Sequence, residues 1–151
     1  MSVINFQCDK KFIQELKTGV WEIIRQHYLD SVSPHTMDNV EKESKETYIE
    51  RLDALMQKEL CKISETEDGV SVEFDSTEDA GFSIGDEVYK AGPRYNDNGL
   101  TYLNPLFEAI IEKFPDVCFN AYCECYDNWV SEEYHCCYDG NEFSSENEED
   151  W

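Results

Sequence analysis

The chain has 151 residues, 40% of them hydrophobic and 13% aromatic, which is enough apolar material for one domain with a core and too much for general disorder. Its net charge of −22 is unevenly placed: residues 1–63 carry 9 Lys/Arg against 11 Asp/Glu, whereas residues 64–151 carry 3 against 23, net −20. That field repels phosphate backbones, anionic membrane surfaces and free nucleotides, leaving a basic partner, a cation or a solvated surface as uses of the charge.

Met1 to Cys8 show no basic segment followed by an apolar run, and nowhere do 18 apolar residues follow one another. A cytoplasmic protein is expected, in the host cell's cytoplasm if a phage encodes it, with its seven cysteines reduced. Phe12, Leu16, Val20, Ile23, Ile24 and His27 fall on one stripe and predict an amphipathic helix over about residues 9–29, locally weakened by Gly19. Ser33-Pro34 supplies a cap and a first-turn proline for a second helix, whose stripe of Ile49, Leu52, Met56 and Leu60 runs toward Ile63. Glu41–Lys45 and Lys42–Glu46 would be opposite-charge pairs on its outer face.

From Asp68-Gly69 the period becomes two. Val70, Val72 and Phe74 alternate with Ser71, Glu73 and Asp75 as in a half-buried strand, and a weaker strand is expected around Phe82–Tyr89. Gly92-Pro93 and Asn96-Asp97-Asn98-Gly99 mark a long irregular connection. Asn104-Pro105 then starts a helix with Leu106, Phe107, Ile110, Ile111 and Phe114 on its apolar face, and Pro115 ends it. Two strands, Val117–Tyr126 and Glu132–Tyr138, follow around Asp127-Asn128-Trp129, and the polar segment 144–151 is expected to be a disordered acidic tail.

The resulting order α-α-β-β-α-β-β predicts an α+β fold: a helical hairpin over 1–63 packed with an antiparallel sheet subdomain over 64–143, the two forming one compact domain. The stretch Leu103-Asn-Pro-Leu-Phe-Glu-Ala-Ile-Ile-Glu-Lys-Phe-Pro-Asp-Val-Cys-Phe, with the strands ending at Tyr138-Asp-Gly140, resembles the C-terminal helix–strand–strand of the YubB-type ferredoxin-like family of plasmid and phage proteins. The resemblance covers residues of about 101–140, implies a ferredoxin-like sheet and supplies no catalytic residue.

The sharpest local feature is the cysteine cluster. If Cys125 sits opposite His135, Cys123 sits opposite Cys137, and four zinc-ligand types share a face. Paired Cys-x₂-Cys knuckles are missing, a one-residue slip breaks the group, and buried core thiols are the simpler use, so no metal and no cofactor are expected. Tyr122, Tyr126, Tyr134 and Tyr138 would occupy the other face, as interface anchors or as cover for the sheet. Ser64-x-Thr66-x-Asp68-Gly69 with Asp75 has the outline of a calcium loop but lacks the leading carboxylates. No phosphate loop, nucleophile elbow or His-Glu-x-x-His occurs, so an enzyme is not expected.

Charge and size therefore predict an acidic DNA mimic, phage- or plasmid-encoded, that binds a basic nuclease or a CRISPR or restriction effector and neither nucleic acid nor membrane. The expected contact residues are Glu73, Asp75, Glu78, Asp79, Asp86, Glu87, Glu124, Asp127, Glu132, Glu133 and Asp139, with Trp129 as aromatic anchor. The N-terminal helices would be scaffold or a homodimer surface. An immunity protein or antitoxin against a basic toxin, and a cysteine-based zinc module, are the rival readings.

Overall fold

The computed structural model describes residues 2–30, 42–75, 80–84, 87–91, 103–126 and 131–150. Its elements in chain order are β1 (Ser2–Gln7), α1 (Ile13–Asp30), α2 (Lys42–Leu55), β2 (Cys61–Glu65), β3 (Gly69–Phe74), β4 (Ala80–Ile84), β5 (Glu87–Ala91), α3 (Asn104–Lys113), β6 (Cys118–Tyr126), β7 (Ser131–Tyr138) and β8 (Phe143–Asp150). Six strands form one antiparallel sheet in the order β2-β3-β1-β6-β7-β8, and β4 pairs with β5 in a separate hairpin. The fold is α+β.

The inner order β2-β3-β1-β6 is that of a split β-α-β. Strand β3 lies between β1 and β2, which are joined through α1 and α2, and β1 lies between β3 and β6, which are joined through α3. This double split crossover is the ferredoxin-like arrangement, here widened by β7 and β8 and carrying the β4–β5 hairpin between β3 and α3.

The single strand expected around Phe82–Tyr89 is instead the separate hairpin of β4 and β5, and three strands of the main sheet also depart from the sequence expectation. Ser2–Gln7 is a strand paired on both sides, so the N-terminal segment supplies a central strand as well as helices. The second helix ends in a π turn at Met56–Leu60, and Cys61–Glu65 turns away as β2. The predicted disordered tail is corrected too: Phe143–Asp150 is β8, paired along β7. The hairpin that returns the chain needs Gly140, whose φ of 93° suits glycine, and Asp139 Oδ1 accepts the N–H groups of Asn141 and Glu142 at 2.8 and 2.7 Å. The Ser33-Pro34 helix start lies outside the described residues, as do the side chains of Glu41, Lys42 and Lys45.

Alternation decides which face each strand buries. Ile4 and Phe6, Val70, Val72 and Phe74, Phe119, Ala121 and Cys123, and Tyr134, Cys136 and Tyr138 all point toward the helices. Against them lie Leu16, Val20, Ile24 and Tyr28 of α1, Leu52 of α2, and Leu106, Phe107 and Ile110 of α3. Phe12, expected in the helical stripe, precedes α1 in a 3-10 turn and is 48% exposed, while Ile13 takes the buried position. Gly19, which weakens α1 in isolation, is where the Phe114 ring packs, and a Cβ there would collide with it. The α1–α3 contact explains the glycine.

Two tyrosines of β7 pin α3 at both ends. Tyr134 donates its hydroxyl to Asn104 Oδ1 at the helix start, and Tyr138 donates to the Pro115 carbonyl beyond its end at 2.5 Å. Phe107 stacks with Phe119 and Tyr134, both at 5.9 Å between ring centroids, and with Phe143 at 6.2 Å. This aromatic layer sets which face of β6 and β7 is inside.

Candidate functional site

All described helices cover one face of the six-stranded sheet. On the other face the alternate residues are exposed or half-buried: Lys62 and Ser64 on β2, Ser71 and Glu73 on β3, Val3, Asn5 and Gln7 on β1, then the outward positions of β6, β7 and β8. Among the described residues nothing packs over this face.

Cross-strand pairing orders the open face into rows. Glu124 is opposite Glu133, and Glu133 is opposite Glu148, so three carboxylates line up across β6, β7 and β8. The next row runs Lys62, Glu73, Val3, Tyr122, His135, Glu146 across the whole sheet. Adjacent strands are about 4.8 Å apart, so the row of three carboxylates spans about 10 Å. Strands β6, β7 and β8 contain no Lys or Arg.

Tyr122 stands at the junction of the two rows. Its hydroxyl donates to Glu124 Oε2 at 3.1 Å, and its ring lies 4.7 Å from the His135 ring at 60°. His135 Nε2 is 4.0 Å from Glu133 Oε2, both side chains being partly exposed. Desolvation against the sheet, and then the hydrogen bonds and charges of Glu124 and Glu133, hold the Tyr122 phenol protonated well above the usual tyrosine range. A shallow depression beside it is lined by His135, Cys137, Ser144 and Glu146.

The expected contact residues divide. Glu73, Glu124 and Glu133 share the open face. Glu132 is a correction: it faces the opposite way and is fully buried, because only one of two consecutive strand residues can point outward. Asp75 is half-buried at the end of β3, where its carbonyl accepts the Tyr28 hydroxyl at 2.9 Å. Asp139 forms the β7–β8 turn, and the backbone N–H groups of Glu142 and Asn141 hold its carboxyl below the usual range. Glu87 begins β5, but its side chain, together with Glu78, Asp79, Asp86, Asp127 and Trp129, lies outside the described residues.

The register also separates the cysteine set. Cys123 is opposite Tyr134 and buried, Cys125 is opposite Glu132, and His135 and Cys137 point to the open face. The expected pairing of Cys125 with His135 is off by three positions, an odd shift that puts Cys123 and His135 on opposite faces. Among the described residues no three His, Cys, Asp or Glu side chains are grouped to hold a metal ion. Tyr134 and Tyr138 belong to the helix side rather than beside Tyr122. The segment with a calcium-loop outline is the β2–β3 hairpin, closed by Thr66 N–H to the Gly69 carbonyl at 2.9 Å.

Sequence reasoning missed Glu146, Glu148 and the Tyr122–His135 pair. The first two ride on β8, which the Asp139-Gly140 hairpin signal could have shown. No protein-family model, curated protein or solved structure matches the chain. Among the described residues no helix is long and apolar enough to cross a membrane.

Proposed function

We propose that this chain is an acidic binding protein that occupies the basic nucleic-acid site of a nuclease or of a CRISPR or restriction effector, acting in the cytoplasm and encoded by a phage or plasmid. The observation that carries the reading is the segregation of charge, net −20 over residues 64–151. B-form DNA bears one negative charge per about 1.7 Å of axis, so ~20 charges match about 10 base pairs over ~34 Å. A compact unit of this size can present a comparable field.

The open sheet face supports the reading in a second way. Sheets of this shape that bind RNA do so with exposed aromatics on the same kind of face, and here that face carries Glu73, Glu124, Glu133, Glu146 and Glu148. Phosphates would be repelled there and a basic protein attracted. Opposite fields accelerate encounter and disfavour wrong partners, while an aromatic in the patch supplies contact area.

The test is competition. A basic partner captured from host extract is purified, and its binding to a labelled DNA or RNA ligand is measured as this protein is added. Displacement with a competitive dependence on nucleic acid, weakening as salt rises, is expected. Simultaneous binding of protein and nucleic acid, or direct binding of nucleic acid by this chain, would overturn the proposal.

A further inference from the structure

We infer that the cavity between the start of α1 and the corner joining α3 to β6 is a binding pocket for a small organic cation, an ammonium group carried on an apolar body. It lies at the end of the sheet where β1 finishes and β6 begins. The inference stands apart from the reading above and concerns a different part of the molecule.

The first argument is the cavity itself. Its volume is about 440 Å³, within the range of about 300–1,000 Å³ usual for small-molecule sites, which combine apolar walls with a few placed polar groups. Phe12 and Leu16 line it from the α1 side, and Phe114 and Val117 from the α3–β6 corner. Both walls are fixed by the chain's own bonds: the Phe12 N–H donates to the Asp9 carbonyl at 2.9 Å, the Phe114 N–H to the Ile110 carbonyl at 2.9 Å, and the Val117 N–H to the Phe114 carbonyl at 3.1 Å. The Phe114 ring is also seated on Gly19. A pre-formed pocket spares a ligand much of the cost of ordering its site. Phe12 is 48% exposed, and the core does not need it: the turn Lys10–Phe12 holds it at the cavity while Ile13 takes the buried position.

The second argument selects the occupant. Asp9, Glu15 and Asp116 line the same cavity, and among the described residues none of the three forms a salt bridge. Lys113, the cation in the lining, has its ammonium 3.5 Å from Glu22 Oε2. Lys11 is outside the lining, where its ammonium stands over the Phe12 ring at 5.6 Å from the centroid. An anion would meet three carboxylates here and a net charge of −22 overall. A bare metal ion is disfavoured by geometry, since among the described residues no three His, Cys, Asp or Glu side chains are grouped to hold one. An ammonium ion on an apolar body matches both features: the body covers Phe12, Leu16 and Phe114, and the head faces the carboxylates.

The experiment uses the full chain and three probes that share one ring, 2-phenylethylamine, 2-phenylethanol and phenylacetate, followed by backbone amide NMR at about 50 mM salt. The amine should bind saturably, with shifts confined to residues 7–16 and 113–117. It should bind about three- to fivefold more tightly than the alcohol, and phenylacetate more weakly than either. Phe12→Ala removes an exposed ring and leaves the core intact; it should weaken the amine and the alcohol alike by about threefold or more. Asp116→Asn and Glu15→Gln should weaken the amine alone, by about twofold each, whereas Glu50→Gln on the exposed side of α2 should have far less effect. Away from the cavity the amide spectrum of each variant should match the native one, so that a loss of binding reports the pocket and not unfolding.

Failure of the amine to saturate, equal affinity for amine and alcohol, tighter binding of phenylacetate, shifts spread over the whole surface, or insensitivity to Phe12→Ala would each overturn the inference.

Discussion

Replacing Glu133 by Lys should make the isolated protein more stable, and replacing its neighbour Glu132 by Lys should do the reverse. Glu133 faces Glu124 on one side and Glu148 on the other across strand spacings of about 4.8 Å. At that distance two unit charges repel by about 0.9 kcal/mol even at the dielectric of water, so the two contacts cost about 1–2 kcal/mol at low salt. Lysine converts both to attraction. Against this stand the lost interactions of Glu133 with Tyr122 and His135, which solvent screening keeps small. Relief of the repulsion and the new attraction together amount to about 2–4 kcal/mol, so a net gain of about 1–3 kcal/mol remains, which raises the melting temperature by about 3–10 °C for a domain of this size. Glu132 is fully buried, so an ammonium group there would be desolvated and should cost several kcal/mol. The assay is thermal unfolding followed by circular dichroism at low salt and near 1 M salt, where the Debye length of about 3 Å should erase the gain. Stabilisation by Glu132→Lys with loss from Glu133→Lys would mean that β7 presents its other face, and the rows described above would not exist.

Removal of residues 143–151 should lower stability by about 2–4 kcal/mol, because it strips the β7 ladder and takes Phe143 off Phe107; an unchanged melting curve would show that β8 contributes nothing. Burial pushes the Cys61 thiol up to about 12 and the Cys123 thiol up to about 11 and raises Cys136 further, so native alkylation read by mass spectrometry should mark the exposed Cys137 well before these three. Burial also lowers the His27 pKa, outweighing the nearby Asp30. The unfolded chain therefore takes up this proton first, and the stability contribution is full above about pH 6.5 and is lost as pH falls through the folded value, at up to about 1.4 kcal/mol per pH unit. Because acidification also relieves carboxylate repulsion, the measurement is the difference between the native protein and His27→Gln from pH 7.5 to 5.5. The native protein should fare worse on acidification, and parallel curves would refute the assignment.

Much of the fold could be read from local chemistry alone. Asn104-Pro105 and Pro115 bracket α3 because proline fits a helix start and disrupts a continuation, and the alternation of Val70, Val72 and Phe74 marks β3 because one face of the sheet is buried. The acidity of residues 64–151 is likewise a property of composition. Strands β1 and β2 were hidden for different reasons. Ser2–Gln7 is short and becomes a strand through partners on both sides, β3 and β6, that lie far along the chain. The spacing of Met56, Leu60 and Ile63 fits a helix as well as it fits a turn into a strand. In β8 only Phe143 is apolar, so its pairing rests on the Asp139-Gly140 turn and on the ladder offered by β7.

The face of each strand was a tertiary decision. In β6 and β7 aromatic and cysteine side chains occur at both parities, Tyr122 and Cys123 in one strand, Tyr134 and His135 in the other, so hydrophobicity does not choose which set is buried. The choice is made by α3, whose Phe107 stacks on Phe119 and Tyr134 and whose ends are bonded to Tyr134 and Tyr138. Once those residues point inward, a period of two sends Tyr122, Glu124, Glu133 and His135 outward together and Glu132 inward. Composition determined that this protein is acidic. Packing against one helix determined where three of its carboxylates meet, because in a strand the direction of every side chain follows from the burial of its neighbour.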